Sequence, residues 1–134
     1  MMTPDERNHL VTLRIQQAAA TIIEVEHCIA HGLFPAATNR IYYGMFYAML
    51  ALGLLMGFET SKHQQMIGWF NKQFIHTGIF PKQFGRMAKD AFEVRMDSDY
   101  KVKLTPTKEQ LDALLADMKL FIGTIKVWIE ENPA

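Results

Sequence analysis

The chemistry in this sequence rests on a few arginines, histidines, tyrosines and carboxylates, so their spacing is read first. Arg95, Asp97, Asp99 and Tyr100 fall within six residues. Arg95 and Asp99 stand four apart, which on a continuing helix makes an ion pair worth only a few tenths of a kcal/mol, roughly, if exposed. Asp97, Asp99 and Tyr100 equally suit a polar network that fixes a helix end. With a reference pKa near about 10, Tyr100 is a poor general base at neutral pH. Arg40 heads an uncharged stretch, with Tyr43 and Tyr47 at the next turns on the same side. A cation at the edge of an apolar helix needs a partner, and Asp97 or Asp99 is the one expected, whether for structure or for a ligand. Tyr43 and Tyr47 suit packing better than base stacking. His63, beside Lys62, is read as exposed in the first turn after Ser61 and titrates near neutrality. Glu24, His27 and His31 share one helix face, a geometry that begins a metal site. No matching ligand pair lies elsewhere, so no metal or other cofactor is expected.

Charge is unevenly spread along the 134 residues. Fourteen Lys plus Arg balance fourteen Asp plus Glu, which excludes a uniformly basic binder of nucleic acid. From Met1 to Ser61 there are three basic residues against five acidic, and the same from Leu104 to Ala134, each −2. From Lys62 to Lys103 there are eight (Lys62, Lys72, Lys82, Arg86, Lys89, Arg95, Lys101, Lys103) against four, which is +4. A local anion-attracting surface is thus expected if folding gathers these cations on one face. The single cysteine, Cys28, cannot close an intrachain disulfide, and no signal peptide is visible, so a cytoplasmic location is expected.

These residues must be positioned by helices, because no strand-like alternation is found. Thr3-Pro4-Asp5-Glu6 has the form of a capping box, opening a helix in which Val11, Ile15, Ala18, Ile22, Val25 and Ile29 recur at spacings of 4, 3, 4, 3 and 4, ending near Gly32. Pro35 starts a second helix that runs to Gly57. Its uncharged stretch Ile41 to Phe58 reaches the lower limit for a membrane span, but three glycines and the one-sided stripes of its neighbours read as the centre of a bundle, with no membrane contact. Ser61-Lys62-His63-Gln64 reads as another capping box, starting a shorter helix with Met66, Ile67, Phe70 and Phe74 on one side and Gly78 as its stop. Pro81 opens a fourth helix that fades near Asp97 to Asp99, and Asp97 to Pro106 reads as a connection. Thr105-Pro106 starts the last helix, where Leu111, Leu115, Met118, Ile122, Ile125 and Ile129 repeat the spacing of the first. The expected fold is all-α, a four-helix up-and-down bundle with an additional short helix, forming one domain over residues 1–134.

Three stretches carry a family resemblance. Asn39-Arg40-Ile41-Tyr42-Tyr43-Gly44-Met45-Phe46-Tyr47-Ala48 resembles the Arg-x-Tyr-Tyr-x-x-Phe/Tyr signature on the second helix of prokaryotic HEPN-domain proteins. Lys62-His63 with Phe70 to Gly78 resembles their third helix, and Ala91-Phe92-Glu93-Val94-Arg95-Met96-Asp97-Ser98-Asp99-Tyr100 is similar to their helix-end segment with Arg followed by Asp-Tyr. The resemblance is to the small stand-alone type of bacteria and archaea. It implies a bundle that is usually dimeric and often paired with a minimal nucleotidyltransferase in a toxin–antitoxin-like module. Some relatives are metal-independent ribonucleases and others are non-catalytic binding modules.

The catalytic relatives carry Arg followed four to six residues later by His, a pairing in which arginine stabilises phosphoryl charge and histidine moves a proton at the ribose 2′-oxygen. The resemblance puts Arg95 at the arginine, and Tyr100 stands where the histidine belongs. Arg95 and Tyr100 are therefore the candidate catalytic residues, with Arg40, Tyr43, Lys62, His63, Asp97 and Asp99 as candidate ligand-binding residues. Two functions are expected in competition. One is an RNA- or nucleotide-directed toxin-type protein; the other is a non-catalytic helical module for dimerisation or partner binding.

Overall fold

The computed structural model describes residues 2–100 and 105–134, so Lys101 and Lys103 of the basic segment lie outside the described residues. Helix α1 is Pro4–Ala30, α2 is Phe34–Met56, α3 is His63–Phe70, α4 is Lys82–Tyr100 and α5 is Lys108–Glu131. A π-helical turn, Asn71–Ile75, extends α3, and no strand occurs among the described residues. The fold is thus all-α, with four long helices and one short one.

Local chemistry sets most of the boundaries. The Thr3 hydroxyl accepts from the Glu6 N–H at 3.1 Å with Pro4 beside it, so α1 starts where the cap directs. Gly57 ends α2 in the left-handed conformation, φ 79°, which a residue without a Cβ adopts freely. The expected capping box at Ser61 does not form. Lys62 occupies the cap position without a side-chain bond, and Thr60 competes for the same groups: its hydroxyl accepts from the Lys62 N–H at 3.1 Å and donates to the Gln65 side chain. Helix α4 does not fade near Asp97 to Asp99 but runs to Tyr100, so the start of the expected polar connection, Asp97 to Tyr100, is helical, while Thr105 and Pro106 lie outside any helix. Helix α5 starts after Thr107 rather than at Thr105-Pro106. Thr107 and Gln110 make the reciprocal box, at 3.2 Å from the Gln110 N–H to the Thr107 hydroxyl and 2.9 Å from the Thr107 N–H to the Gln110 amide oxygen.

Helix α2 is the centre, packed against α1, α4 and α5. That placement accounts for its uncharged stretch, since a helix covered on several sides needs no polar face. No described helix is long and apolar enough to cross a membrane. At Gly44, α2 meets both neighbours closely: an added Cβ would overlap Met118 Cε of α5 and the hydroxyl of Thr21 on α1. Gly44→Ala is therefore expected to cost about 1–3 kcal/mol by overpacking. Gly123→Ala, whose Cβ would meet nothing within 4 Å, is expected to be neutral or to stabilise α5. Melting temperatures of the two variants check the pair.

Candidate functional site

Helices α2, α3 and α4 converge on a cluster of aromatic and cationic side chains. Because α2 is central, Tyr42 is fully buried, yet its hydroxyl reaches the surface of the core at His63 Nδ1, 2.7 Å away. His63 is the first residue of α3 and only half-buried. Its ring lies 4.5 Å from the ring of Phe46, 5.6 Å from that of Tyr43 and 6.4 Å from that of Phe92. From α4, Arg95 sits over the same two tyrosines, its Cζ 5.1 Å from the Tyr43 ring centre and 5.7 Å from that of Tyr42. A carboxylate oxygen of Asp99 is 3.0 Å from Arg95 Nε, one helical turn away. Only 13% of the Arg95 side chain and 26% of the Asp99 side chain are exposed, so this is not the freely solvated surface pair that the spacing alone suggests.

Arg40 approaches Tyr43 as well, with Cζ 5.6 Å from the ring centre. Two guanidinium groups thus meet one half-buried aromatic ring, a placement that ring quadrupoles favour. The carboxylate partner of Arg40 is Glu24 of α1, at 3.3 Å, and not Asp97 or Asp99 as the sequence suggested. The reason is the packing of α1 along α2, which brings Glu24 alongside. The Arg40 Nε–H is not directed at that oxygen and has no hydrogen-bond acceptor among the described residues.

Burial and the nearby Arg95 charge both hold the His63 imidazole below its ordinary value of 6.5. Burial pushes the Tyr42 phenol well up, outweighing the opposite pull of Arg95, so the hydroxyl keeps its proton. The sign for stability follows. The unfolded chain binds a proton at His63 more readily than the folded one, so this contribution is present above pH 6.5 and is lost as pH falls through the lower folded value. Urea midpoints between pH 7.5 and 5 are expected to fall more for the natural chain than for His63→Gln. Equal declines would dismiss the effect.

The structure therefore gathers Arg40, Tyr43, His63, Arg95 and Asp99. Lys62 is adjacent but exposed. Asp97 and Tyr100 do not join this cluster. Asp97 lines a separate groove between α4 and α5 of about 590 Å³, together with Asp90, Glu93 and Asp117. Tyr100 is 70% exposed at the end of α4, because five residues beyond Arg95 a continuing helix has turned away from the α2 side. Nor do the described basic residues make one cationic face. Lys82, Arg86 and Lys89 are exposed on α4, Lys89 pairs with Glu93 at 4.0 Å, and acidic side chains line the groove beside them. Glu24 pairs with Arg40, His27 and His31 lie against each other as tilted rings with centres 4.1 Å apart, and no group of three metal-binding side chains exists among the described residues.

Sequence reasoning passed over Tyr42, Phe46 and Phe92 as site residues. Tyr42 lies two positions from Arg40, off the side shared by Arg40, Tyr43 and Tyr47. The usable signal was its adjacency to Tyr43 in the Arg-x-Tyr-Tyr stretch.

The HEPN domain family model matches residues 11–128, nearly all of the described bundle. The chain belongs to the HEPN domain family. Among the proteins similar to this HEPN chain, a UPF0332 protein of Thermotoga maritima is 27% identical over 127 residues, covering 95% of this chain and 96% of that protein. A UPF0332 protein of Archaeoglobus fulgidus is 24% identical and covers 90% of this chain and 95% of its own length. A Methanocaldococcus jannaschii protein, named as a candidate toxin, is 27% identical over 115 residues, with 86% of this chain and 78% of that protein covered. This HEPN chain is thus similar to toxin-like and UPF0332 proteins across nearly its whole length.

Proposed function

We propose that this HEPN chain is a toxin-type protein that engages RNA at the Arg95 cluster and cuts it without a metal ion. The observation that carries the reading is the guanidinium of Arg95, mostly buried, tied to Asp99 and held over Tyr42 and Tyr43 beside His63. A fixed guanidinium offers its remaining N–H donors to phosphoryl oxygens, in a low-dielectric setting where they act strongly. Tyr43, half-buried beside it, offers part of a ring face to a base. The relative named as a candidate toxin supports the biological setting. In this reading the protein works as a homodimer in a reducing cytoplasm, alongside a nucleotidyltransferase-type partner that restrains it; the free buried thiol of Cys28 suits that compartment.

The test is incubation of purified protein, freed of co-purifying partners, with total RNA in the presence of a chelator. Cleavage by the natural chain that falls by about 10²–10³-fold in Arg95→Ala is the expected result. RNA binding without cleavage would make the chain a non-catalytic module, and neither binding nor cleavage would dismiss an RNA role.

A further inference from the structure

We infer that His63 is the proton-transfer group of this site, supplying from α3 the imidazole that the sequence lacks after Arg95, and that Tyr42 positions it. The inference rests on the RNA-directed reading above and adds to it a residue and a bond-breaking step. The geometry has two parts. Arg95 and His63 come from different helices but approach the same two rings: the imidazole centre is 5.3 Å from Tyr42 and 5.6 Å from Tyr43, the guanidinium 5.7 Å and 5.1 Å. Phosphoryl stabiliser and imidazole are thereby neighbours without a shared motif. Further, Nδ1 of His63 is taken by the Tyr42 hydroxyl, and no described group hydrogen-bonds Nε2, which leaves that nitrogen for a substrate at a half-buried position.

The identity of the positioning group matters. A carboxylate at Nδ1 would hold a proton there and favour the imidazolium. For Nε2 to take up a proton the neutral ring must carry its own on Nδ1, and the Tyr42 hydroxyl oxygen accepts that N–H while keeping its own proton, so Tyr42 fixes both the ring and the tautomer that the base requires. The titratable and charged groups near the imidazole are Tyr42 and Tyr43 from α2, Arg95 with its Asp99 from α4, and Lys62 beside it on its own segment, with Phe46 and Phe92 as apolar neighbours. Burial, and after it the charge of Arg95, favours the neutral form, which is the base.

The step balances with water alone. His63 Nε2 takes the proton of a ribose 2′-hydroxyl, and the 2′-oxygen forms a bond to the adjacent phosphorus. The bond from phosphorus to the 5′-oxygen breaks, and that oxygen takes a proton from water. The hydroxide so formed removes the proton from His63. The products are a 2′,3′-cyclic phosphate and a 5′-hydroxyl, and a DNA strand, having no 2′-hydroxyl, is not cut.

The experiment uses the full chain and an oligoribonucleotide in a chelator, with the matching oligodeoxyribonucleotide as control. His63→Ala and His63→Gln are expected to lower the cleavage rate by about 10²–10⁴-fold, the range for a lost proton-transfer group. Free imidazole is expected to restore part of the rate to His63→Ala and none to Arg95→Ala. Tyr42→Phe is expected to lower kcat with KM unchanged. If His63→Ala cuts at the natural rate while Arg95→Ala is inert, the role of His63 is overturned and the Arg95 reading stands. If both His63 variants lose activity together with melting temperature and imidazole restores nothing, His63 is structural and the inference fails. Absence of metal-independent cleavage by the natural chain overturns both.

Discussion

Phe74→Ala is expected to lower the free energy of unfolding by about 3–5 kcal/mol, the range for removing a large aromatic side chain from a closed core. Phe74 has no exposure and belongs to the π-helical turn that extends α3. Its ring stacks on Phe70 at 5.8 Å and on Phe80 at 5.3 Å, and meets Trp128 of α5 edge-on at 5.1 Å. Phe80, Phe84 and Phe121 continue the layer, so one aromatic group joins the α3 extension, the start of α4 and α5. Truncation at its centre leaves a void bounded by rigid rings, which collapse poorly around missing volume. Because native domains are stable by only about 5–15 kcal/mol, such a loss approaches the whole margin. A urea titration should show the midpoint displaced with the slope unchanged. A loss under about 1 kcal/mol would mean that the layer relaxes freely, contrary to the packing argument.

This layer also shows what the sequence disclosed. The 3.6-residue period marked Met66, Ile67, Phe70 and Phe74 as one face; Met66, Phe70 and Phe74 are fully buried and Ile67 is half-buried. It marked the stripe of α5 but passed over Phe121, which is fully buried between the predicted seam positions. Periodicity reports which side of a helix is apolar; it does not report that α5 packs against both α1 and α2 and therefore needs a wider stripe. The start of α3 was misread for a related reason. Ser61 and Thr60 are equally good local acceptors, and only the competing bonds of Thr60 with Lys62 and Gln65 decide that the helix opens at His63.

The site was legible residue by residue but not as an arrangement. Arg95, Asp99, Tyr43 and His63 were all named from the chain, yet their association depends on α3 and α4 meeting the same turn of α2. The absent histidine after Arg95 read as a missing group, because a motif records neighbours along one helix. A side chain contributed by another helix leaves no spacing to detect. The pairing of Arg40 with Glu24 was likewise hidden, since it depends on how α1 lies along α2.

Arg95→Ala is expected to reduce RNA cleavage by about 10²–10³-fold, the effect of losing one fixed donor that faces charge developing in a transition state. Arg95→Lys separates charge from shape. Lysine keeps the positive charge but gives up the planar fork that reaches Asp99 while lying over the tyrosine rings. If the site needs only positive potential, Arg95→Lys retains most of the rate. If it needs a donor held at fixed geometry, Arg95→Lys falls nearly as far as Arg95→Ala, and this is the expected outcome because the guanidinium is held on one edge by Asp99 and on its face by two rings. Asp99→Asn should then be intermediate: it keeps a hydrogen-bond acceptor one turn away but removes the charge that anchors Arg95. Single-turnover rates separate these effects from RNA affinity. An order in which lysine restores full activity would show that the tyrosine rings and Asp99 serve packing alone.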